Sequence, residues 1–236
     1  MKIKVEGDII CNDWKEMYEW YGYSGTCPKD IENAINMLEP GETLEVEVNS
    51  GGGMVFAGFE IYSKLKECNN KVEINIQSLA GSAASVIAMA GESKISPVGM
   101  LMIHNASSWA AGNKNDLEKE AKTLNEIDES IANAYIAKTG MSMDAIKSMM
   151  DDETWMSAQR AKELGFVDKI EDENHFTQRV ATATKMRLTP DKIKQFETAK
   201  AKKAEADEKA KAEQLKAQGA KAKAHNLTKD LYLYGV

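Results

Sequence analysis

The sequence contains no long apolar run and few residues of the kinds that build metal or disulfide sites. No stretch of 18 or more apolar residues occurs among its 236 residues, so we expect no membrane-spanning helix. The opening segment Met1–Asp8 lacks the apolar core and cleavage site of a secretory signal. The three cysteines show no metal-ligand spacing and cannot all pair, which favours reduced structural thiols in a cytoplasmic protein.

Candidate catalytic bases and nucleotide-binding loops are also scarce. Of the three histidines, His175 lies in an acidic segment and His225 in a basic one, whereas His104 follows an apolar strand-like segment. Such a histidine is as often a packed structural residue as a catalytic one. Neither GxxxxGK[ST] nor GxGxxG is present, so we expect no nucleotide, metal or other cofactor.

Charge divides the chain into an acidic body and a basic tail. Residues 187–236 hold 12 Lys/Arg and 7 Asp/Glu, whereas residues 1–186 hold 18 and 30. We therefore expect a globular domain over residues 1–180 and an Ala/Lys/Glu-rich tail over 187–236. The tail composition favours a helix with little to bury, either solvated or dependent on a partner. A basic tail is compatible with nucleic acid, but its interleaved acidic residues weaken that interpretation.

Strand-like and helix-like segments alternate through the first hundred residues, which predicts a layered α/β domain with parallel strands. A long helix is then predicted over Asp116–Lys138 and ends at Gly140, and short helices follow at 142–150 and 157–164. The predicted strands are Ile3–Cys11, Leu44–Val48, Val72–Ile76, Leu101–Ile103 and Phe166–Ile170, and the earlier helices are Lys29–Leu38, Ala57–Cys68 and Ser85–Ala90.

A serine-containing turn and a glycine run suggest nucleophilic chemistry. Gly81–Ser85 joins a strand to a helix, so Ser85 is expected near a helix start, with the amide of Val86 free to face an oxyanion. The alternative is that Ser82 caps the helix and Ser85 merely packs against it. The run Gly51–Gly53 follows another strand and permits close approach of the backbone to a substrate carbonyl.

Four motifs in order resemble those of Clp proteases. The segment Asn49–Gly53 with the helix after it is similar to their Asn-Ser-Pro-Gly-Gly segment, and Gly81–Ser85 resembles their Gly-x-Ala-Ala-Ser nucleophile motif. Met102–His104 resembles Met-Ile-His, and Trp155–Ala158 resembles the segment after the acidic triad residue. The resemblance spans residues 3–172. The Gly-Asp-Ile opening and the Glu-Thr-Trp segment are more similar to ClpP-related head maturation proteases of tailed phages.

The resemblance implies a serine peptidase site. Ser85 would be the nucleophile and His104 its base, while Gly53 and Val86 would donate backbone N–H groups to the oxyanion. The family usually has Asp where this chain has Glu153. Glu153 is therefore our candidate for the third member, with Asp152 as the alternative and a solvated acidic turn over 151–153 as the non-catalytic interpretation.

The resemblance also implies a crotonase-like spiral of βαβ units with a protruding handle, to which the helix at 116–138 would correspond. It implies a homo-oligomeric ring acting on protein or peptide substrates. Our leading hypothesis is a protease that processes capsid or scaffold proteins during phage head maturation, in the host cytoplasm or the assembling capsid, with capsid components bound through the tail. Its Ala/Lys/Glu composition resembles the helical scaffolding segments fused to some phage head proteases.

Four alternative functions remain open, and so does the role of the tail. The chain could be the proteolytic subunit of an ATP-dependent Clp-like complex, or a non-catalytic assembly scaffold on the same fold. A crotonase acting on acyl-CoA shares the fold but would not need Ser85 and His104. A Ser-Lys peptidase would need a lysine that no motif singles out. The tail could equally be solvated and without a specific partner.

Overall fold

The computed structural model describes residues 1–171, 191–204, 206–209 and 211. The chain divides into two compact units, Met1–Arg187 and Leu188–Val236. Among the described residues, no helix combines the length and apolarity needed to cross a membrane. The tail beyond residue 211, His175 and His225 fall outside the described residues.

Strands and helices alternate through the first unit. A short 3-10 turn at Asn12–Trp14 leads into the first helix. The strands are β1 (Lys2–Ile9), β2 (Gly25–Thr26), β3 (Leu44–Gly53), β4 (Val72–Gly81), β5 (Glu92–Ile95), β6 (Met100–Ile103), β7 (Thr154–Ser157) and β8 (Lys169–Ile170). The helices are α1 (Lys15–Trp20), α2 (Pro28–Asn36), α3 (Val55–Glu67), α4 (Ala83–Ala88), α5 (Lys114–Thr139), α6 (Met143–Asp151) and α7 (Ala158–Glu163).

The strands form one sheet that divides at β4. Its main path runs β2-β1-β3-β4-β5-β8, and all of these pairs are parallel. The first part of β4 pairs with β5, whereas its end at Leu79–Gly81 pairs with β6. Strand β7 then pairs antiparallel with β6. The division brings the ends of β4 and β6 together, next to the start of β7.

Apolar residues from alternate strand positions pack against the helices. Val46 and Val48 of β3 are fully buried, as are Ile74 of β4 and Ile61 of α3. Burying a side chain of this size contributes about 1.5–3 kcal/mol to folding, so this layer fixes the strand ends that carry the site. The neighbouring positions on the strands are polar, which matches the strand alternation in the sequence.

The predicted α/β alternation is confirmed, and the helical predictions lie within about two residues of the observed bounds for the longer helices. Strand β3 continues through the glycine run, because Gly52 and Gly53 pair with Asp8 and Ile9 of β1. The last predicted strand, Phe166–Ile170, was too long, since only Lys169–Ile170 pairs. The sequence patterns did not predict α1, β2, β5 or β7.

Helix α5 changes environment along its length. Its capping residue Asn113 accepts hydrogen bonds from two backbone amides, and it ends at Gly140 in the left-handed conformation. The first part of α5 is mostly exposed, whereas Ile131, Ala132 and Tyr135 are buried. Only the last turns of α5 therefore belong to the core.

The described part of the second unit is helical and mostly exposed. Residues 191–204, 206–209 and 211 adopt helical conformation, as the Ala/Lys/Glu composition predicted. The few large apolar side chains in this segment leave little surface to bury.

Candidate functional site

The turn between β4 and α4 carries Ser82 in an unusual backbone conformation. Ser82 has φ 52° and ψ −127°, although only glycine adopts positive φ at little cost. Its amide donates to the carbonyl of Met102 at 3.0 Å. Its side chain makes no capping bond to α4 and is directed elsewhere. Strained residues of this kind concentrate at functional sites, where the surrounding structure enforces them.

The hydroxyl of Ser82 lies within hydrogen-bond distance of His104. His104 directly follows β6, and its Nε2 is 2.7 Å from Ser82 Oγ. With the ring proton assigned to Nδ1, Nε2 accepts the hydrogen bond from the hydroxyl. This is the arrangement in which a histidine can take the proton of an attacking serine.

Ser85 does not occupy this position, so the structure argues against the sequence-based assignment of Ser85 as nucleophile. Its side chain is 0% exposed, and its Oγ donates to the Ser82 carbonyl at 2.6 Å. The same Oγ lies 2.8 Å from the hydroxyl of Tyr135. A buried hydroxyl with both partners inside the protein cannot meet a substrate carbonyl without rearrangement. The alternative that Ser85 packs against the turn fits the geometry better.

A cleft opens beside Ser82 and His104. Its empty space is about 420 Å³, including the part open to solvent. Apolar side chains form most of the inner wall, and the polar groups gather at Ser82 and His104. The wall residues are Val55, Phe59, Val86, Ile131 and Tyr135. Pockets of this size that combine apolar walls with a few convergent polar groups are typical binding sites.

Two glycines of β3 shape the opposite side of the turn. A Cβ at Gly52 would lie 2.6 Å from Ser82 Cβ, and one at Gly53 would lie 2.3 Å from the carbonyl oxygen of Ile9. Ser50 braces the run, because its hydroxyl donates to Gly7 and accepts from the Gly52 amide. The run therefore packs its backbone against the Ser82 turn and β1, and Gly53 lines the cleft, whereas its approach to a substrate carbonyl stays a prediction.

The predicted oxyanion donor Val86 is unsuited to that role. Its amide donates to the Ser82 carbonyl at 3.4 Å within the first turn of α4. Ala83 is the residue that follows Ser82, and it also lines the cleft. As the first residue of α4, Ala83 has no acceptor for its N–H inside the helix. Ala83 is therefore better placed than Val86 to donate its amide into the cleft, just as the hydroxyl of Ser82 is better placed than that of Ser85.

Glu153 immediately precedes β7, just as His104 immediately follows β6. Ile103 pairs with Thr154, so continuing the antiparallel register by one residue sets His104 opposite Glu153. Directly opposed residues have Cβ atoms about 4.5–5.5 Å apart. The Glu153 carboxylate instead accepts a hydrogen bond from the Trp155 indole at 3.2 Å, and the residue has φ 46°.

The neighbouring acidic residues differ from Glu153 in their contacts. Asp151 accepts a hydrogen bond from the side chain of Asn105 at 2.7 Å, and Asp152 is exposed. Asp152 is the C-cap of α6, one residue before Glu153. The register that would set Glu153 opposite His104 therefore does not set Asp152 opposite it.

Cysteines and groups of potential metal ligands are the other candidates for reactive or metal-binding sites. All three cysteines are unpaired, and burial raises the pKa of the Cys27 thiol, which lowers its reactivity. Within residues 1–171 and the described part of the tail, no group of three or more His, Cys, Asp or Glu is arranged to hold a metal ion.

Comparisons with known proteins consistently find Clp proteases. A sequence profile of the family described as Clp protease matches residues 30–174. An ATP-dependent Clp protease proteolytic subunit 1 of Protochlamydia amoebophila is 31% identical over 141 residues, covering 58% of this chain and 68% of the relative. A proteolytic subunit of Bacteroides fragilis is 30% identical over 139 residues, covering 58% and 67%.

A solved structure shares the fold. A single-residue mutant of ClpP1 from Listeria monocytogenes superimposes with a TM-score of 0.60 at 23% identity. The match covers 73% of this chain and 92% of that protein. The predicted ClpP-like α/β fold is thus confirmed.

Proposed function

Because the chain belongs to the Clp protease family, we propose that it is a serine endopeptidase whose nucleophile is Ser82 and whose general base is His104. The observation that carries the proposal is the 2.7 Å contact between Ser82 Oγ and His104 Nε2 at the rim of the cleft. Ser85, the serine suggested by the motif, is buried beneath it.

The geometry supports the usual steps of acyl transfer. Ser82 Oγ attacks the scissile carbonyl while His104 Nε2 takes its proton, forming a tetrahedral intermediate. His104 then gives that proton to the departing amine, which leaves an acyl-enzyme on Ser82. A water molecule, deprotonated by His104, hydrolyses the ester and restores the hydroxyl.

Backbone amides beside Ser82 would stabilise the oxyanion. The N–H of Ala83 follows the nucleophile directly, and Gly53 brings a second backbone segment to the cleft. Losing one such donor typically lowers kcat by about 10²–10³-fold. The glycines at 52 and 53 are needed for this approach because a side chain there would collide with Ser82 or with β1.

Glu153 is our candidate for the carboxylate that orients His104. The register of β6 and β7 supports it, because extending that register by one residue beyond the Ile103–Thr154 pair would set His104 and Glu153 opposite each other. In the described conformation the carboxylate contacts Trp155, so a side-chain rotation is required before it meets Nδ1 of His104. A carboxylate there would hold the productive tautomer and stabilise the imidazolium.

The cleft favours a substrate with an apolar side chain next to the scissile bond. Val55, Phe59 and Ile131 line it together with the ring of Tyr135, and no charged side chain is among the described residues that line it. An apolar side chain would gain about 25 cal/mol per Å² of surface buried there.

The named relatives favour a proteolytic subunit over a head maturation protease. Both are called ATP-dependent Clp protease proteolytic subunits, so we propose that this chain likewise forms a ring and receives protein substrates from an ATP-dependent partner. None of the relatives and the structure named above points to phage heads. Phage head maturation, the capsid partners and the cytoplasmic location stay predictions of the sequence.

A covalent label tests the assignment of the nucleophile. A fluorophosphonate should add once to the wild-type protein, as read by intact mass, and fragmentation of the labelled peptide should place the adduct on Ser82. Ser82→Ala and His104→Ala should abolish labelling, because one removes the nucleophile and the other its base.

The neighbouring serine provides the matched comparison. Ser85→Ala should still take the label on Ser82. An adduct on Ser85, or labelling that survives Ser82→Ala, would overturn the assignment. No adduct on the wild-type protein, even after assembly, would count against a serine peptidase.

A further inference from the structure

The strained backbone conformation of Ser82 must be stabilised by other contacts. Three hydrogen bonds to the Ser82 carbonyl provide this stabilisation. That carbonyl accepts hydrogen bonds from the amide of Ser85 at 2.9 Å and from the amide of Val86 at 3.4 Å. It also accepts the hydroxyl of Ser85 at 2.6 Å, the shortest of the three bonds. The orientation of the Ser82 peptide is therefore set largely by Ser85.

Proton counting gives the Ser85 hydroxyl a direction. A serine hydroxyl has one proton to donate and two lone pairs to accept with. Since Ser85 donates to the Ser82 carbonyl, the contact of 2.8 Å with Tyr135 must be a bond in which the phenol donates to Ser85. Burial raises the pKa of the Tyr135 phenol, so the phenol keeps its proton throughout the working pH range.

Tyr135 is itself firmly placed. It is 1% exposed on the buried part of α5, and its ring packs against Phe166 at 5.7 Å between centroids. The same ring forms part of the cleft wall. A chain of two buried hydrogen bonds thus runs from α5 to the turn that carries Ser82.

We propose that Ser85 and Tyr135 are positioning residues, which hold the Ser82 turn in its strained, reactive conformation through the bonds from Tyr135 to Ser85 and from Ser85 to the Ser82 carbonyl. They act through Ser82 and touch no reacting atom. The inference rests on Ser82 being the nucleophile. It also explains the second serine of the motif, which the chemistry does not use.

The test measures the rate of the chemical step. Tyr135→Phe keeps the ring against Phe166 and in the cleft wall while removing the hydroxyl, and Ser85→Ala removes the acceptor and donor in the middle. Each should lower kcat, and the maximal rate of fluorophosphonate inactivation, by about tenfold with KM within about twofold, since orientation and not binding is affected. The midpoint of the pH–rate profile should not move, because neither residue contacts His104.

The double variant separates a chain from two independent contacts. Ser85→Ala leaves the buried phenol without its partner, and adding Tyr135→Phe removes that unpaired group. Ser85→Ala/Tyr135→Phe should therefore fall no further than about tenfold, whereas independent effects would multiply to about a hundredfold.

Matched controls exclude a general effect of losing a hydroxyl. Ser96 is also buried, and its hydroxyl has no hydrogen-bond partner within the described part of the chain, so Ser96→Ala should keep the wild-type rate. Tyr62→Phe makes the same chemical change on α3, at a residue that is not among those lining the cleft. Circular dichroism and thermal unfolding confirm that each variant is folded at the assay temperature.

The outcomes are distinct. Wild-type rates in folded Ser85→Ala and Tyr135→Phe, with labelling still lost in Ser82→Ala, would overturn the positioning role alone. A rise in KM with kcat unchanged would assign Tyr135 to substrate binding and would equally overturn it. Labelling of Ser85 itself, or none on the wild-type protein, would instead refute the proposed function.

Discussion

Two turns of this molecule share a backbone strain but differ in what holds it. Ser82 and Glu153 are the only non-glycine residues with positive φ in the described part of the chain. The Ser82 turn lies inside the structure, where Gly52, Met102 and Ser85 constrain it from three sides. The Glu153 turn is exposed, and its carboxylate makes one hydrogen bond, to Trp155.

The difference separates a fixed half of the site from an adjustable half. Ser82 and His104, the proposed nucleophile and base, are half-buried, and their contact is backed by the buried Ser85. Glu153, the proposed acidic member, lies on a surface turn, where its amide donates to Met150 at 3.1 Å and its carboxylate accepts from Trp155. The conformation of the Glu153 side chain should therefore respond more readily to its surroundings than that of the Ser82 turn.

Among the tests of this comparison, removing the Glu153 carboxylate should give the largest effect. We expect Glu153→Gln to lower kcat/KM by at least about 10²-fold, toward the 10⁴-fold that loss of a triad carboxylate can cost. Steady-state hydrolysis of a peptide with an apolar side chain at the scissile bond would measure it. Asp152→Asn is the matched control and should remain within about threefold of wild type. The reverse result would make Asp152 the acidic member.

Backbone strain can be compared directly between the two turns. At each position we expect glycine to be more stable than alanine, because only alanine carries the Cβ that positive φ disfavours. The difference in free energy of unfolding should be about 1–2 kcal/mol for Ser82→Gly against Ser82→Ala.

The same pair at the exposed turn should differ less. We expect about 1 kcal/mol or below for Glu153→Gly against Glu153→Ala, because a surface turn can relax. Urea unfolding of the four variants measures both differences. Equal free energies of unfolding for Ser82→Gly and Ser82→Ala would show that the positive φ of Ser82 causes no measurable strain.

The smallest expected effect concerns the contact that holds Glu153 away from His104. Trp155→Phe removes the indole donor and keeps an aromatic ring. Both partners of this bond are exposed to solvent, which keeps its contribution at about 0.5–1 kcal/mol although the acceptor is charged, so its loss should raise the fluorophosphonate labelling rate about two- to fivefold.

That increase should depend on the carboxylate. The double variant Trp155→Phe/Glu153→Gln should label no faster than Glu153→Gln alone. A lower labelling rate in Trp155→Phe would contradict the view that the indole competes with His104.

The fold could be predicted where the signal is local. Helix α5 repeats apolar residues every three or four positions, and α3 does the same, so both were placed within two residues. Strand β7 has four residues and exists because it pairs with β6, a contact some fifty residues away. Short elements such as β2 and β5 likewise depend on neighbours that no local pattern reveals.

The segments that form the site could be predicted from the sequence, but not which of two neighbouring serines faces His104. His104 was correctly placed after an apolar strand, and the glycine run does approach the nucleophile turn. Gly81–Ser85 contains two serines three residues apart, and the motif resemblance selected the second. The signal in favour of the first was available: Ser82 stands at the strand–helix junction, whereas Ser85 lies inside α4, where a hydroxyl readily bonds a carbonyl of the preceding turn.

The antiparallel pairing of β6 with β7 has a consequence for how this site can vary. Since opposed positions on two strands alternate between faces, inserting or deleting one residue between Met150 and Thr154 would turn the carboxylate to the other side of the sheet. Exchanging side chains at those positions would leave the alignment with His104 in place. A mutational library of this segment should thus tolerate many substitutions outside Glu153 and reject nearly all changes in length.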